Sequence, residues 1–164
     1  MDTNWVDMCF RAGQLKRFHA HPTIGYETVA EHSFGVALVV LSITNGYASA
    51  ELLKAALYHD IPEIETGDVP FTAKQKYPKI KRVTEDIEEL FMSEWDLTTN
   101  LPDEDKIILK WADMLHLLLY CKAQRDLGNV GMNKVFARGA EFCSKLPPVE
   151  RAQNILTWLI ETYN

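Results

Sequence analysis

Long apolar runs are missing from this 164-residue chain. None could span a bilayer, and no signal peptide is expected at its start, so a membrane protein is not expected. Cysteine is scarce. Cys9, Cys121 and Cys143 are odd in number, far apart and without metal-ligand spacing, which makes a reduced, cytoplasmic chain the expectation. Positive charge is in deficit, with 17 Lys and Arg against 23 Asp and Glu for a net −6. That argues against non-specific nucleic-acid binding. It leaves room for a nucleotide in a locally basic site. Internal repeats, low-complexity segments and strand-like alternation are absent too, which leaves an all-α fold.

The residues present, 47% apolar and 24% charged, suit one soluble domain covering 1–164 with one good core. Helical spacing predicts a first helix over 4–16, with Trp5, Met8, Cys9, Ala12 and Leu15 on one face. Thr28-Val29-Ala30-Glu31 is a capping box that starts a second helix, running to about Gly46. Ser49 caps a third, Ala50 to Asp60, which breaks where Pro62 disfavours helical geometry at Ile61. Residues 69–81 read as loop with at most a short helix, and they carry Lys74, Lys76, Lys79 and Lys81. Residues 80–95 predict an amphipathic helix with Ile80, Val83, Ile87, Leu90, Phe91 and Trp95 inward. Pro102 and the acids after it open a long helix to about Leu127. Two closing helices are predicted over 132–146 and 148–163.

The chemistry concentrates at Tyr58-His59-Asp60-Ile61-Pro62-Glu63 and in the Asp68 of Thr66-Gly67-Asp68. His32 stands upstream in an apolar helix, and Asp113 stands downstream in another. Apolar helices rarely hold such groups without partners. His32, His59, Asp60 and Asp113 are therefore expected to meet around one divalent ion. Two imidazoles and two carboxylates suit Co, Mn, Ni, Fe or Zn better than Ca, with Mg the harder alternative. Such an ion activates water and polarises a phosphoryl oxygen. Glu63 and Asp68, close by without being ligands, can orient that water, take its proton or protonate a leaving oxygen. Arg17, in the loop before the His32 helix, can grip a phosphate in bidentate fashion. Lys74 follows Asp68 by six, and Lys110 precedes Asp113 on the same helical face.

Each residue also has a plainer alternative. A lone histidine near a helix start is usually a hydrogen-bonded core or surface residue, and a lone aspartate in an apolar helix is usually paired with Arg or Lys. The lysines of 74–81 alone would be a solvated loop. His116 reads either as a support behind a ligand or as a packed histidine, and His19 and His21 read as loop residues. Tyr120, Trp111 and Trp158 read as core. The argument rests on the order: His, then His-Asp, then Glu and Asp at +4 and +9, then Asp in a later apolar helix.

That order resembles the HD-domain metal-dependent phosphohydrolases, over most of the chain from Arg17 to about Leu127. More narrowly, Arg17…Ala30-Glu31-His32-Ser33…Tyr58-His59-Asp60-Ile61-Pro62-Glu63…Thr66-Gly67-Asp68-Val69-Pro70…Lys74 is similar to the bacterial 5′-deoxynucleotidases and equally to the small bacteriophage dATP triphosphohydrolases. The resemblance implies His32, His59, Asp60 and Asp113 as ligands of one divalent metal, and Glu63 and Asp68 as a catalytic acid/base pair. It puts Arg17, Lys74 and Lys110 at phosphate contacts, and Phe18 where the deoxynucleotidases have a tryptophan beside sugar and base. The short chain and the extra lysines 76, 79 and 81 favour the phage-type reaction, dATP to deoxyadenosine and triphosphate. In that case the host cytoplasm is the compartment. The nearest rival is a 5′-deoxynucleotidase acting on monophosphates. Further rivals are a helical module that binds metal or nucleotide without turnover, and cyclic-nucleotide hydrolysis. A homo-oligomer is expected from the resemblance, and neither a nucleic-acid nor a membrane partner is expected.

Overall fold

A computed structural model describes residues 3–163. Its α-helices are α1 (Thr3–Gly13), α2 (Val29–Ile43), α3 (Ala50–Tyr58), α4 (Glu63–Thr66), α5 (Phe71–Lys76), α6 (Pro78–Glu94), α7 (Asp103–Asp126), α8 (Asn133–Cys143) and α9 (Glu150–Thr162). A single 3-10 turn, Val130–Met132, precedes α8. The described residues form no strand beyond one isolated antiparallel bridge, Lys16 to Thr28. No described helix is long and apolar enough to cross a membrane.

The all-α expectation holds, and α7 is the axis of the bundle. It packs against α2, α3, α8 and α9. Trp111, Leu115 and Leu118 of α7 are buried with Val36 and Val40 of α2, Leu52 of α3, Phe136 of α8 and Leu159 of α9. The Trp111 indole is not left polar in that core, because its Nε1–H donates to Pro147 O at 2.8 Å. α8 lies close on α7 because position 139 is glycine: a Cβ there would fall 2.9 Å from Leu118 Cδ2. A smaller cluster, Met8, Ala12, Ile61, Phe91 and Leu97, ties α1 to α6 and to the turn after α3.

Several boundaries follow local chemistry that periodicity does not carry. The first helix ends at Gly13, because the chain then runs alongside the segment leading into α2. Val29 N–H donates to Leu15 O at 2.9 Å, and Arg17 N–H donates to Glu27 O at 2.8 Å. That strap sets Arg17 and Glu27 side by side. The capping box forms as expected, and α2 ends at Ile43, before the left-handed pair Asn45 and Gly46. α3 ends at Tyr58 with His59 as its C-cap, and the chain turns through Asp60 to Pro62 into α4.

α6 departs from its expected orientation. Ile80, Val83 and Leu90 are 40%, 56% and 60% exposed, and only Thr84 and Phe91 of this helix are buried. α6 leans on α4 and α5 rather than on the main bundle, so part of its apolar stripe has nothing packed against it. Trp158, expected in the core, is 48% exposed on α9.

Candidate metal centre

His32 is fully buried, four residues after the Thr28 cap, in a helix whose other buried residues are Val29, Ser33, Val36, Val39, Val40 and Ile43. Its Nε2 lies 3.2 Å from His59 Nε2, 3.4 Å from Asp60 Oδ2 and 3.4 Å from Asp113 Oδ1. His59 Nε2 is 3.4 Å from Asp60 Oδ1. His32, His59 and Asp113 each bring an atom within 4.8 Å of the other two. The folded chain thus brings together all four residues expected as ligands: one from α2, two from the end of α3 and one from α7.

The protonation pattern says what belongs between them. His59 Nδ1 is 2.9 Å from Ala56 O, and a carbonyl only accepts. That nitrogen therefore donates, and Nε2 is the nitrogen of His59 that faces inward. Two carboxylates face the same point. Arg17 covers one Asp60 oxygen and Lys110 one Asp113 oxygen, and a cation between the two ring nitrogens and the two carboxylates would draw on all four side chains at once. Ligands sharing an ion at bonds of about 2.1 Å lie about 3.0–3.4 Å apart, which is the spacing found around His32 Nε2. The donor set and its spacing fit a divalent ion.

Electrostatics supports the charged forms of the acids in this group. Burial works against ionisation of Asp113, yet Lys110, His32 and His59 hold its carboxyl well below the ordinary range. Asp60 is likewise held down, against burial, by His59, Arg17 and His32. Glu63, buried on the first turn of α4, behaves oppositely. Burial, reinforced by Asp60 and Asp68, pushes its carboxyl up to about 9. Its Oε2 is buried and has no hydrogen-bond partner. Asp68 is fixed by Phe18 N–H, which donates to Oδ2 at 2.9 Å, and His19 Nδ1 lies 3.8 Å from the same oxygen.

The residues expected at the phosphate are each engaged already. Arg17 pairs with Asp60 and, through Nε at 3.2 Å, with Glu27. Lys110 Nζ is 2.9 Å from Asp113 Oδ2. Lys74 Nζ is 3.1 Å from Glu88 Oε1. Phe18 takes a left-handed backbone with φ of 57° and stacks on Tyr120, centroids 4.7 Å apart and planes 8° apart. That wall stands beside the Arg17–Asp60 pair.

Of two further residues in this region, the sequence gives Glu27 no role and leaves His116 between a support and a packed histidine. Glu27, 5% exposed, holds Arg17, and burial pushes its carboxyl up to about 7. Nothing in a loop sequence marks an acid that will be covered. His116 Nδ1 lies 3.0 Å from His32 Nδ1. Its place three residues after Asp113 is the one sequence signal that pointed inward.

An all-α bundle that brings together a buried His, a His-Asp pair and an Asp of a later helix is the pattern of the HD-domain phosphohydrolases, which are hydrolytic enzymes. The 5′-deoxynucleotidase YfbR-like family model matches residues 4–106, and the chain belongs to that family. A 5′-deoxynucleotidase of Yersinia pestis (strain Pestoides F) is 31% identical, over 70% of this chain and 70% of the relative. One from Enterobacter sp. (strain 638) is 29% identical, over 70% of this chain and 69% of its own. In shape, a Pyrococcus horikoshii OT3 protein matches with a TM-score of 0.77, 20% identity and coverage of 98% and 99% of the two chains. The cyanophage S-2L HD phosphohydrolase DatZ, solved with dA and one catalytic Zn²⁺ ion, matches with a TM-score of 0.69, 21% identity and coverage of 99% and 96%. At those identities the structural matches speak to the fold.

Proposed function

We propose that this enzyme is a 5′-deoxynucleotidase. It hydrolyses 2′-deoxynucleoside 5′-monophosphates to deoxynucleoside and phosphate, with one divalent ion held by His32, His59, Asp60 and Asp113. The observation that carries the reading is the convergence of His59, Asp60 and Asp113 on His32 Nε2, with the unpartnered Oε2 of Glu63 nearby. Membership of the deoxynucleotidase family supplies the substrate class. The whole chain, 1–164, is read as one catalytic domain. Its three free cysteines suit a reducing cytoplasm. The uncovered apolar stripe of α6 suits the expected homo-oligomer.

The ion, when bound, polarises the phosphoryl oxygen and makes water acidic enough to attack at neutral pH. Zn²⁺ in the cyanophage enzyme makes zinc a first candidate, and Co²⁺ and Mn²⁺ fit the same nitrogen and oxygen donors. Positive charge beside Glu63 lowers its proton affinity, so that the carboxylate accepts the proton of the attacking water. Asp68, steadied by Phe18 N–H, steers a proton to the departing 5′ oxygen. Lys110 reaches the phosphate from beside Asp113, and Arg17 reaches it from beside Asp60. The Phe18–Tyr120 stack walls the sugar or base.

A triphosphate substrate, the phage-type reaction, is the second reading, and the likeness to a phage enzyme holding dA favours it. The charge around the site favours the monophosphate. Arg17, Lys74 and Lys110 are each neutralised by a carboxylate. Lys81, counted toward a longer phosphate chain, pairs with Glu85 at 3.5 Å. Metal-stripped protein reloaded with Zn²⁺, Co²⁺ or Mn²⁺ and offered dAMP, dATP and AMP distinguishes the readings. Inorganic phosphate from dAMP, with dATP untouched, is the expected outcome. Triphosphate and deoxyadenosine from dATP would overturn the monophosphate assignment. No turnover with any ion would return the chain to a binding role.

A further inference from the structure

We propose that His116 is a positioning residue for the metal site, accepting the Nδ1 proton of His32 so that His32 presents its Nε2 lone pair to the ion. The inference rests on the reading of His32 as a ligand.

Both nitrogens of His32 are committed. Nε2 faces His59, Asp60 and Asp113, as described. Nδ1 faces His116 Nδ1 at 3.0 Å, with the rings at 68° and their centroids 5.0 Å apart. Two ring nitrogens at that distance share one proton. With Nε2 of His32 used as a lone pair, the proton sits on His32 Nδ1, and His116 must accept. Metal-bound histidines ordinarily give their second N–H to an acceptor that fixes the tautomer and ring angle. In this chain another histidine supplies the acceptor.

The fold is shaped to seat that ring. Gly35 lies one turn beyond His32 on α2, and a Cβ added there would fall 1.9 Å from His116 Nε2. Glu27 Oε1 is 3.8 Å from His116 Nδ1, and the other oxygen of Glu27 accepts from Arg17, which in turn holds Asp60. His116 thus stands behind His32, while Glu27 and Arg17 stand behind Asp60.

Glu27, His32 and His116 also lie close enough together to hold an ion of their own. The guanidinium of Arg17, 3.2 Å from Glu27, already supplies positive charge there. A second ion would also strip both nitrogens of His32. The His32–His116 hydrogen bond, with Glu27 held by Arg17, is the arrangement the charges favour.

The test uses the full chain, stripped of metal and titrated with Co²⁺ against a chelating indicator. The visible spectrum of the cobalt site and the bound-metal stoichiometry are recorded as well. His116→Leu keeps volume without an acceptor, Gly35→Ala pushes the ring away, and His116→Asn retains an acceptor near the Nδ1 position. Leu and Gly35→Ala are expected to weaken Co²⁺ binding roughly 10- to 100-fold and to change the cobalt bands. Asn is expected to restore near-wild-type affinity and spectrum. Metal-free circular dichroism melts check that each variant folds. His116→Leu binding Co²⁺ like wild type would overturn the inference, as would Asn failing as badly as Leu or a stoichiometry of two ions per chain. His32→Ala separates the two readings. If that variant binds Co²⁺ as tightly as wild type, the metal-site assignment itself fails. If only His116 proves silent, the assignment stands and this inference falls.

Discussion

Glu63 is 7% exposed and unpaired at Oε2, and burial keeps its carboxyl protonated up to about 9. In the metal-free protein this has a definite sign. Between about 4.5, its ordinary value, and about 9 the folded chain holds a proton that the unfolded chain has released. Stability therefore falls as pH rises through that window, by at most about 1.4 kcal/mol per pH unit from this proton. Glu27 adds the same sign up to about 7, and His116, held down to about 4 by burial, contributes the opposite sign below its ordinary 6.5. From about pH 8 to 8.5 Glu63 acts with those neighbours silent. Denaturant unfolding of metal-free protein should show a falling stability there, and Glu63→Gln should flatten it. An unchanged slope in the variant would remove Glu63 as the source. With metal restored, the same substitution removes a proton acceptor and no ligand. Its kcat should drop about 10²- to 10⁴-fold while Co²⁺ affinity stays as in wild type. A retained rate would end its role as a base.

At the scale of the element, α2 was the most readable part of the sequence, and its cap is why. Thr28 Oγ1 accepts Glu31 N–H at 3.2 Å, and Glu31 Oε2 accepts Thr28 N–H at 2.7 Å. Thr28→Ala should cost about 1 kcal/mol, read as a shift in the denaturation midpoint with unchanged slope. A loss near zero would mean that the strap from Leu15 to Val29 already fixes this end. The same reading failed on α6 for a physical reason. Periodicity reports that a helix has an apolar stripe, and says nothing about whether another element covers it. Ile80, Val83 and Leu90 have the spacing of a core face and lie open. The site divides in the same way. His59, Asp60 and Glu63 are legible because they crowd one helix end. Glu27 is not, because its burial depends on a strap pairing residues ten apart in the chain, Arg17 with Glu27.

At the scale of the whole molecule, the expected ligands come from three helices that the core packs together: α2, α3 and the central α7. The all-α class was legible because helical spacing is local. That α7 would serve as the axis was not, since it depends on which faces find each other. Without a cation, the two carboxylates rest on Arg17 and Lys110, and a bound cation would clamp the three helices together. An ion that binds only the folded chain adds about 2.7 kcal/mol at a hundredfold excess over its Kd. For a domain of this size that corresponds to a Tm rise of roughly 5–10 °C. Melts in chelator and in excess Zn²⁺ or Co²⁺ should show the rise in wild type. His32→Ala and Asp113→Ala, on opposite helices of the clamp, should each abolish most of it. A full shift surviving in both variants would put the stabilising ion somewhere other than between α2, α3 and α7.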